Sequence, residues 1–309
     1  MRAASWTNVG HDVSGVITLD QILREAELDY TVTTEDVFTE TGNKIPGVKA
    51  TVKNISGQDK TIHIGVVSDK YKVCQNSDAL SVLDDLYESG TGFIPRKAGE
   101  TASGRIYVIG ELPAVEVLND EFVPHVILQT SHNGMYNLSA TICPLRIVCQ
   151  NQFAISFKRM QNTIRIQHSS KLPQKVAEAQ QLLADVAVYM NGFTNTAEEL
   201  ALLHITDTDR YAIMDAFFDS VYQINQMQDE MSNRRRETIA VQKAFLEECY
   251  HADDNSNFRG TAWGIINATS DYVTHKPTKA KEENKFQTVT FDNKMMNLMM
   301  SIIRERVNS

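Results

Sequence analysis

Between Phe122 and Ala177 the sequence contains no aspartate and no glutamate. The chain of 309 residues carries 39 acidic side chains in all, so a run of this length without one is unusual. Other absences narrow the chemistry. No GxxxxGK[ST] or GxGxxG loop occurs, which excludes the common glycine-rich phosphate cradles. GxSxG and HExxH are missing, and with them the usual serine-hydrolase elbow and zinc-protease helix. Asp253 to Asn257 opens like a calcium loop, but Phe258 stands where glycine is needed and Gly264 where glutamate is needed. The four cysteines (Cys74, Cys143, Cys149 and Cys249) form no CxxC pair and have no histidine at ligand spacing. They read as reduced thiols used as small apolar residues, with no metal and no cofactor expected. No run of 18 apolar residues and no cationic, apolar leader is present, so a cytoplasmic protein off the membrane is expected.

What is present is an ordinary globular composition with one unusual segment. Hydrophobic residues make up 42% and charged residues 22%, enough for a core and too little charge for wholesale disorder. The formal net charge of −9 excludes a general polycationic coat for nucleic acid. It leaves room for a local phosphate-binding groove, because exposed charges are screened beyond about 10 Å. The acid-free span holds six cations: Arg146, Lys158, Arg159, Arg165, Lys171 and Lys175. Phe153 and Phe157 lie among them and would either stack bases or enter the core. Lys70 and Lys72 would join from a neighbouring strand. Elsewhere Asp84, Asp85 and Glu88 read as a solvated helix face, as does Arg234-Arg235-Arg236 between Glu230 and Glu237. The histidines are scattered, and His168 ends the cationic strand Ile164 to His168.

The periodicity predicts an α+β protein: a β-rich N-terminal domain with helices packed on an antiparallel sheet, then a helical C-terminal region. The boundaries expected are 1–27 for an arm and short helix, 28–170 for the α+β core and 171–309 for the helical region. Leu19 to Glu27 suits a helix capped by Asp20. Alternation at Tyr30, Val32, Val48, Ala50 and Val52 predicts half-buried strands, with Gly42-Asn43 as a turn. Further strands are expected at 62–67, around Phe93, and at 105–112, 126–130 and 136–142, the last two joined through Asn133-Gly134. Pro144 predicts the first turn of a helix from Leu145 to Phe157. A helix from Leu172 should stop at Gly192 and a second run from Ala197 to Leu203. Later helices are expected after Thr206, from Glu230 to Tyr250, around Trp263 to His275, and from Asn293 to Arg306.

Four segments in order carry a resemblance. They are Val66 to Asn76 (VVSDKYKVCQN), Arg146 to Asn151 (RIVCQN), Ile164 to His168 (IRIQH), and Thr261-Ala262-Trp263 with Asn267-Ala268 and Tyr272 to His275. Together they resemble the phage/plasmid-like proteins grouped as a domain of unknown function, carried by phages and other mobile elements. That family brings no catalytic residues with it. The outline is more distantly similar to phage single-strand-annealing recombinases, which implies a homo-oligomer with DNA in an outer cationic groove. The expectation is therefore a non-enzymatic, single-stranded-DNA-binding or annealing protein of a phage or mobile element, acting in recombination or replication in the host cytoplasm. Arg146, Lys158, Arg159, Arg165, Lys171, Lys175, Lys70 and Lys72 would contact phosphates. The alternative is a protein-interaction or counter-defence factor that binds a host protein through its acidic surface or through Met295, Met296, Met299 and Met300 as an adaptable apolar patch.

Overall fold

A computed structural model describes residues 9–55, 57, 61–88, 90, 92–146, 151–152, 163–165, 172–226, 231–276 and 294–307. The alternating segments form two antiparallel sheets. The larger joins β1 (His11–Asp12), β5 (Ile94–Glu100), β6 (Arg105–Glu111), β8 (Asp120–Ser131) and β9 (Ser139–Arg146) in that order. A short strand β7 (Val115–Val117) folds back on β8 through Leu118 and Asn119, both at positive φ, as a tight two-residue turn requires. The outer edge of β9 takes two short strands, β10 (Asn151–Gln152) and β11 (Thr163–Arg165). The smaller sheet is a meander of β2 (Thr31–Phe38), β3 (Lys44–Asn54) and β4 (Ile62–Ser68).

Helices share the main core with one face of the large sheet. They are α1 (Leu19–Glu25), α2 (Asn76–Ala79), α3 (Val82–Glu88), α4 (Leu172–Leu202), α5 (Asp207–Tyr222), α6 (Asn233–Tyr250), α7 (Ala262–His275) and α8 (Lys294–Val307). Of these, α4 and α7 meet the strands of the sheet and others pack on those helices. The α+β prediction holds. In β6, Ile106 and Val108 point to the helices, and Tyr107 and Ile109 to a small cluster with Val9, Ile127 and Cys143 on the opposite face. The main core runs continuously from Val13 to Ile303. Its centre is α7, with twelve of fourteen residues buried, including Trp263 and Tyr272. A helix apolar all round has to be surrounded, and α4, α6 and α8 pack on it beside β10.

Several local expectations are corrected. Leu145 and Arg146 end a strand and start no helix, and Asn151–Gln152 pairs back on them. Pro144 faces Pro124 across β8–β9, where the outer edge of β9 lies between its two short partners and no donor is required. Gly192 does not stop α4. A helical glycine costs about 1 kcal/mol, and the buried stripe of Tyr189, Met190, Phe193, Ala197 and Leu200 outweighs it. Thr18, not Asp20, caps α1, its Oγ1 accepting from the Gln21 amide at 3.4 Å. The Asp84 carboxylate accepts from the Leu19 amide at 3.3 Å and so also serves that helix start. The methionines of α8 do not form an exposed patch: Met296, Met299 and Met300 are buried against the core. Among the described residues no helix is long and apolar enough to cross a membrane.

His125 gives the fold an acid sensitivity. It lies buried in β8, Nδ1 at 3.0 Å from the Val123 carbonyl oxygen and Nε2 at 3.6 Å from the Glu111 carboxylate. Burial pushes its pKa down from 6.5 to about 4 despite the carbonyl and the carboxylate. The unfolded chain therefore takes up a proton at a pH where the folded chain does not. Stability is full above pH 6.5 and falls as pH drops towards about 4, by on the order of 3 kcal/mol. Urea midpoints measured between neutral pH and about pH 4 should show this slope, and a His125→Phe variant should flatten it. An equally steep profile in the variant would assign the slope to carboxylates instead.

Candidate nucleic-acid interface

The register of β9 separates the cations that the sequence groups together. Arg165 lies opposite Ser139 at one end of the strand, and Arg146 ends the other. Seven strand steps between them amount to about 23 Å. Arg146 is 2% exposed. Its guanidinium meets the Asp120 carboxylate at 2.6 Å, donates to the Asp254 carbonyl at 2.8 Å, and lies 3.6 Å from the Asp254 carboxylate. A side chain so placed cannot meet a phosphate. It ties the end of the sheet to the turn before α7, and its assignment to a DNA groove is corrected. Lys158, Arg159 and Lys171, with Phe153, Phe157 and His168, lie outside the described residues. Lys175 lies on α4 and Arg165 on β11, their side chains outside what is described.

Lys70 and Lys72 are exposed. They flank Tyr71, whose hydroxyl donates to the Ser131 carbonyl at 3.2 Å. That anchors both lysines at the β8–β9 turn, the end of the sheet that also carries the Arg165 backbone. From β8 to β11 is two strand spacings, about 10 Å. The turn is rigid. Ser131 Oγ accepts from the Tyr136 amide at 2.9 Å, Asn133 Nδ2 donates to the Ser103 carbonyl at 2.8 Å, and the Arg105 guanidinium stacks 4.0 Å from the Tyr136 ring centre. Gly65 of β4 lies on Asn133 so closely that a Cβ there would come within 2.9 Å of the Asn133 Cβ.

Beneath the turn a buried polar network joins the two sheets. His132 Nε2 lies 2.8 Å from Asn76 Oδ1, and Asn76 Nδ2 donates to the Leu28 carbonyl at 2.8 Å. The Tyr30 hydroxyl and the Lys53 ammonium both donate to Glu100 Oε2 at 3.1 Å, and Lys53 sits 3.7 Å from the Tyr30 ring centre. Burial, then the charge of Glu100, pushes the Tyr30 phenol well up, so it stays a protonated donor at any physiological pH. Gln75 completes the edge of β2 as a strand neighbour would. Its amide accepts from the Val32 N–H and donates to the Val32 carbonyl, each at 2.9 Å. These groups position the lysine-bearing loop; they do not offer a reactive centre. Among the described residues no group of three or more metal-ligating side chains converges. The sequence pointed to Gln75-Asn76 only as part of a motif, and nothing local announced Tyr30, Glu100 or His132 as their company.

No curated protein and no solved structure matches the chain. A family model does, over residues 63–295, from the first residues of β4 into α8. That span is well over half of the chain and holds all four motif segments, and the chain therefore belongs to the family described as Domain of unknown function (DUF932).

Proposed function

We propose that this protein binds single-stranded DNA without cleaving it, in annealing or replication on a phage or other mobile element, and acts as a homo-oligomer. The observation that supports this reading is the convergence of Lys70, Lys72 and the Arg165 backbone at one end of an acid-free edge of the sheet. Lysine and arginine there neutralise successive phosphates and release counterions, so affinity falls with salt by a slope of about −0.7 per phosphate. Lys158, Arg159, Lys171 and Lys175 extend the same cationic run along the sequence. Arg146 takes no part.

Fluorescence anisotropy with a labelled oligonucleotide, titrated at two salt concentrations, tests the reading. Binding at low salt should weaken steeply at high salt. The pair Lys72→Glu and Arg165→Glu should lose about a hundredfold in affinity with an unchanged melting curve, about 1.4 kcal/mol for each tenfold. The oligonucleotide should survive incubation with magnesium. No signal at low salt would end the proposal, and cleavage would replace it with an enzyme.

A further inference from the structure

Met135 stands out from the β8–β9 turn, 66% exposed and part of neither apolar cluster. The backbone that carries it is held from several sides. The Met135 amide donates to Asn133 Oδ1 at 3.0 Å, and Asn133 is itself tied to Ser103. Ser131 Oγ donates to the Tyr136 carbonyl at 3.0 Å besides accepting from its amide. Gly134, at φ +74°, supplies the left-handed residue that this turn needs. A Cβ at Gly134 would lie 3.6 Å from Val67 Cγ1, so the turn rests on the last part of β4. Met135 is therefore presented to water on a fixed support. An apolar side chain held out in this way gains free energy only when a ligand covers it.

Its neighbours identify the ligand. After Val67 the chain turns at once, the Tyr71 amide donating to the Ser68 carbonyl at 2.9 Å, and Lys70 sits inside that turn. The Tyr71 hydroxyl then reaches the Ser131 carbonyl, and Lys72 follows. Met135 and two exposed lysines thus share one end of the sheet. Asp69 is the acid of the lysine loop, and two lysines against one carboxylate leave it cationic. The centres of protein interfaces are depleted of lysine, whose strongly hydrated ammonium resists burial. A nucleotide is the better complement, because it carries an apolar base face close to an anionic phosphate. In a duplex those faces are closed off in the stack, whereas in a single strand they are open to stacking partners. Methionine suits them: its thioether is polarisable and packs well on aromatic rings, and apolar side chains of its kind wedge between bases.

We propose that Met135 packs between unpaired bases of the bound strand while Lys70 and Lys72 hold the adjoining phosphates. This rests on the DNA-binding reading above and adds to it a source of preference for single over double strands. The two contributions differ in kind. Lysine–phosphate contacts release counterions and weaken with salt, whereas a methionine–base contact releases none. Met135 therefore sets affinity and strand preference without altering the salt slope.

Fluorescence anisotropy of the full chain tests this with two labelled strands, an ordinary oligonucleotide and an abasic strand with the same number of phosphates. Met135→Ala should bind the ordinary strand about tenfold more weakly at every salt concentration, with an unchanged slope. It should bind the abasic strand as the wild type does. The preference for the single strand over a duplex of equal length should shrink in the same variant. Met135→Trp should keep or raise the affinity, because an indole stacks on bases at least as well. Met135 is exposed, so the melting curves of both variants should overlay that of the wild type. Wild-type affinity in Met135→Ala overturns the proposal, as does an equal loss on the abasic strand, and either result leaves the DNA-binding reading standing. No binding by the wild type at low salt ends both.

Discussion

Replacing Arg146 by methionine should cost about 3 kcal/mol of folding stability and leave the nucleic-acid affinity of the folded protein unchanged. The side chain is almost wholly enclosed and serves two carboxylates from different parts of the fold, Asp120 and Asp254. Methionine fills much of the same volume, so the loss comes from leaving those acids without their cation. Both acids keep some contact with water, 18% and 24% exposed, which holds the figure near the lower end for broken buried pairs. Adding Asp120→Asn to Arg146→Met should recover part of the stability, because one stranded charge is then gone. Urea unfolding of the single and double variants gives these values directly. If Arg146→Met instead kept full stability and lost DNA binding, the buried tie would be wrong and the groove right.

The second large effect is expected at Gly264. A methyl group there would lie 2.2 Å from the Phe258 carbonyl oxygen and 2.8 Å from its carbon. Those are backbone atoms of the turn before α7, so no rotamer change can relieve the clash. Gly264 is also held at both ends: its amide donates to Thr261 Oγ1 at 3.1 Å, and its carbonyl accepts from Asn255 Nδ2 at 3.0 Å. To admit the methyl group the start of α7 must shift, and with it Trp263, which packs edge-on against Phe193 of α4 at 5.8 Å. Gly264→Ala should therefore cost about 4 kcal/mol or prevent folding. A thermal melt reads the difference, and a loss below about 1 kcal/mol would show that the approach is looser than the geometry implies.

The fold was legible where information is local. Alternation located β2 and β3, the apolar run at 62–67 located β4, the Asn133-Gly134 turn located β8 and β9, and apolar stripes located α5, α7 and α8. Thr206 caps α5 where the helix was expected to begin after it. The failures share a physical cause. Pro144 carries the local signature of a helix start, yet the strand across from it decides its conformation. Gly192 is a helix breaker by propensity, and the buried residues around it override that propensity. Arg146 looked like a phosphate ligand because its counter-ions are absent from its own segment. One lies 26 residues before it and the other 108 residues after. Tyr30 and Glu100, 70 residues apart, could not be paired on paper either. A charge is read as free until the chain returns to it, and one-dimensional spacing carries no sign of that return.

The boundary of the recognised family falls inside a sheet. Its first residues belong to β4, whereas β3, which gives β4 its hydrogen bonds, precedes the matched span. The core likewise draws on Val13, Leu19, Ile22, Leu28 and Tyr30, all upstream. The hydrophobic body of this chain is therefore larger than the stretch that marks its ancestry, and side chains from Val13 to Val32 hold interior positions beside the motifs that name it.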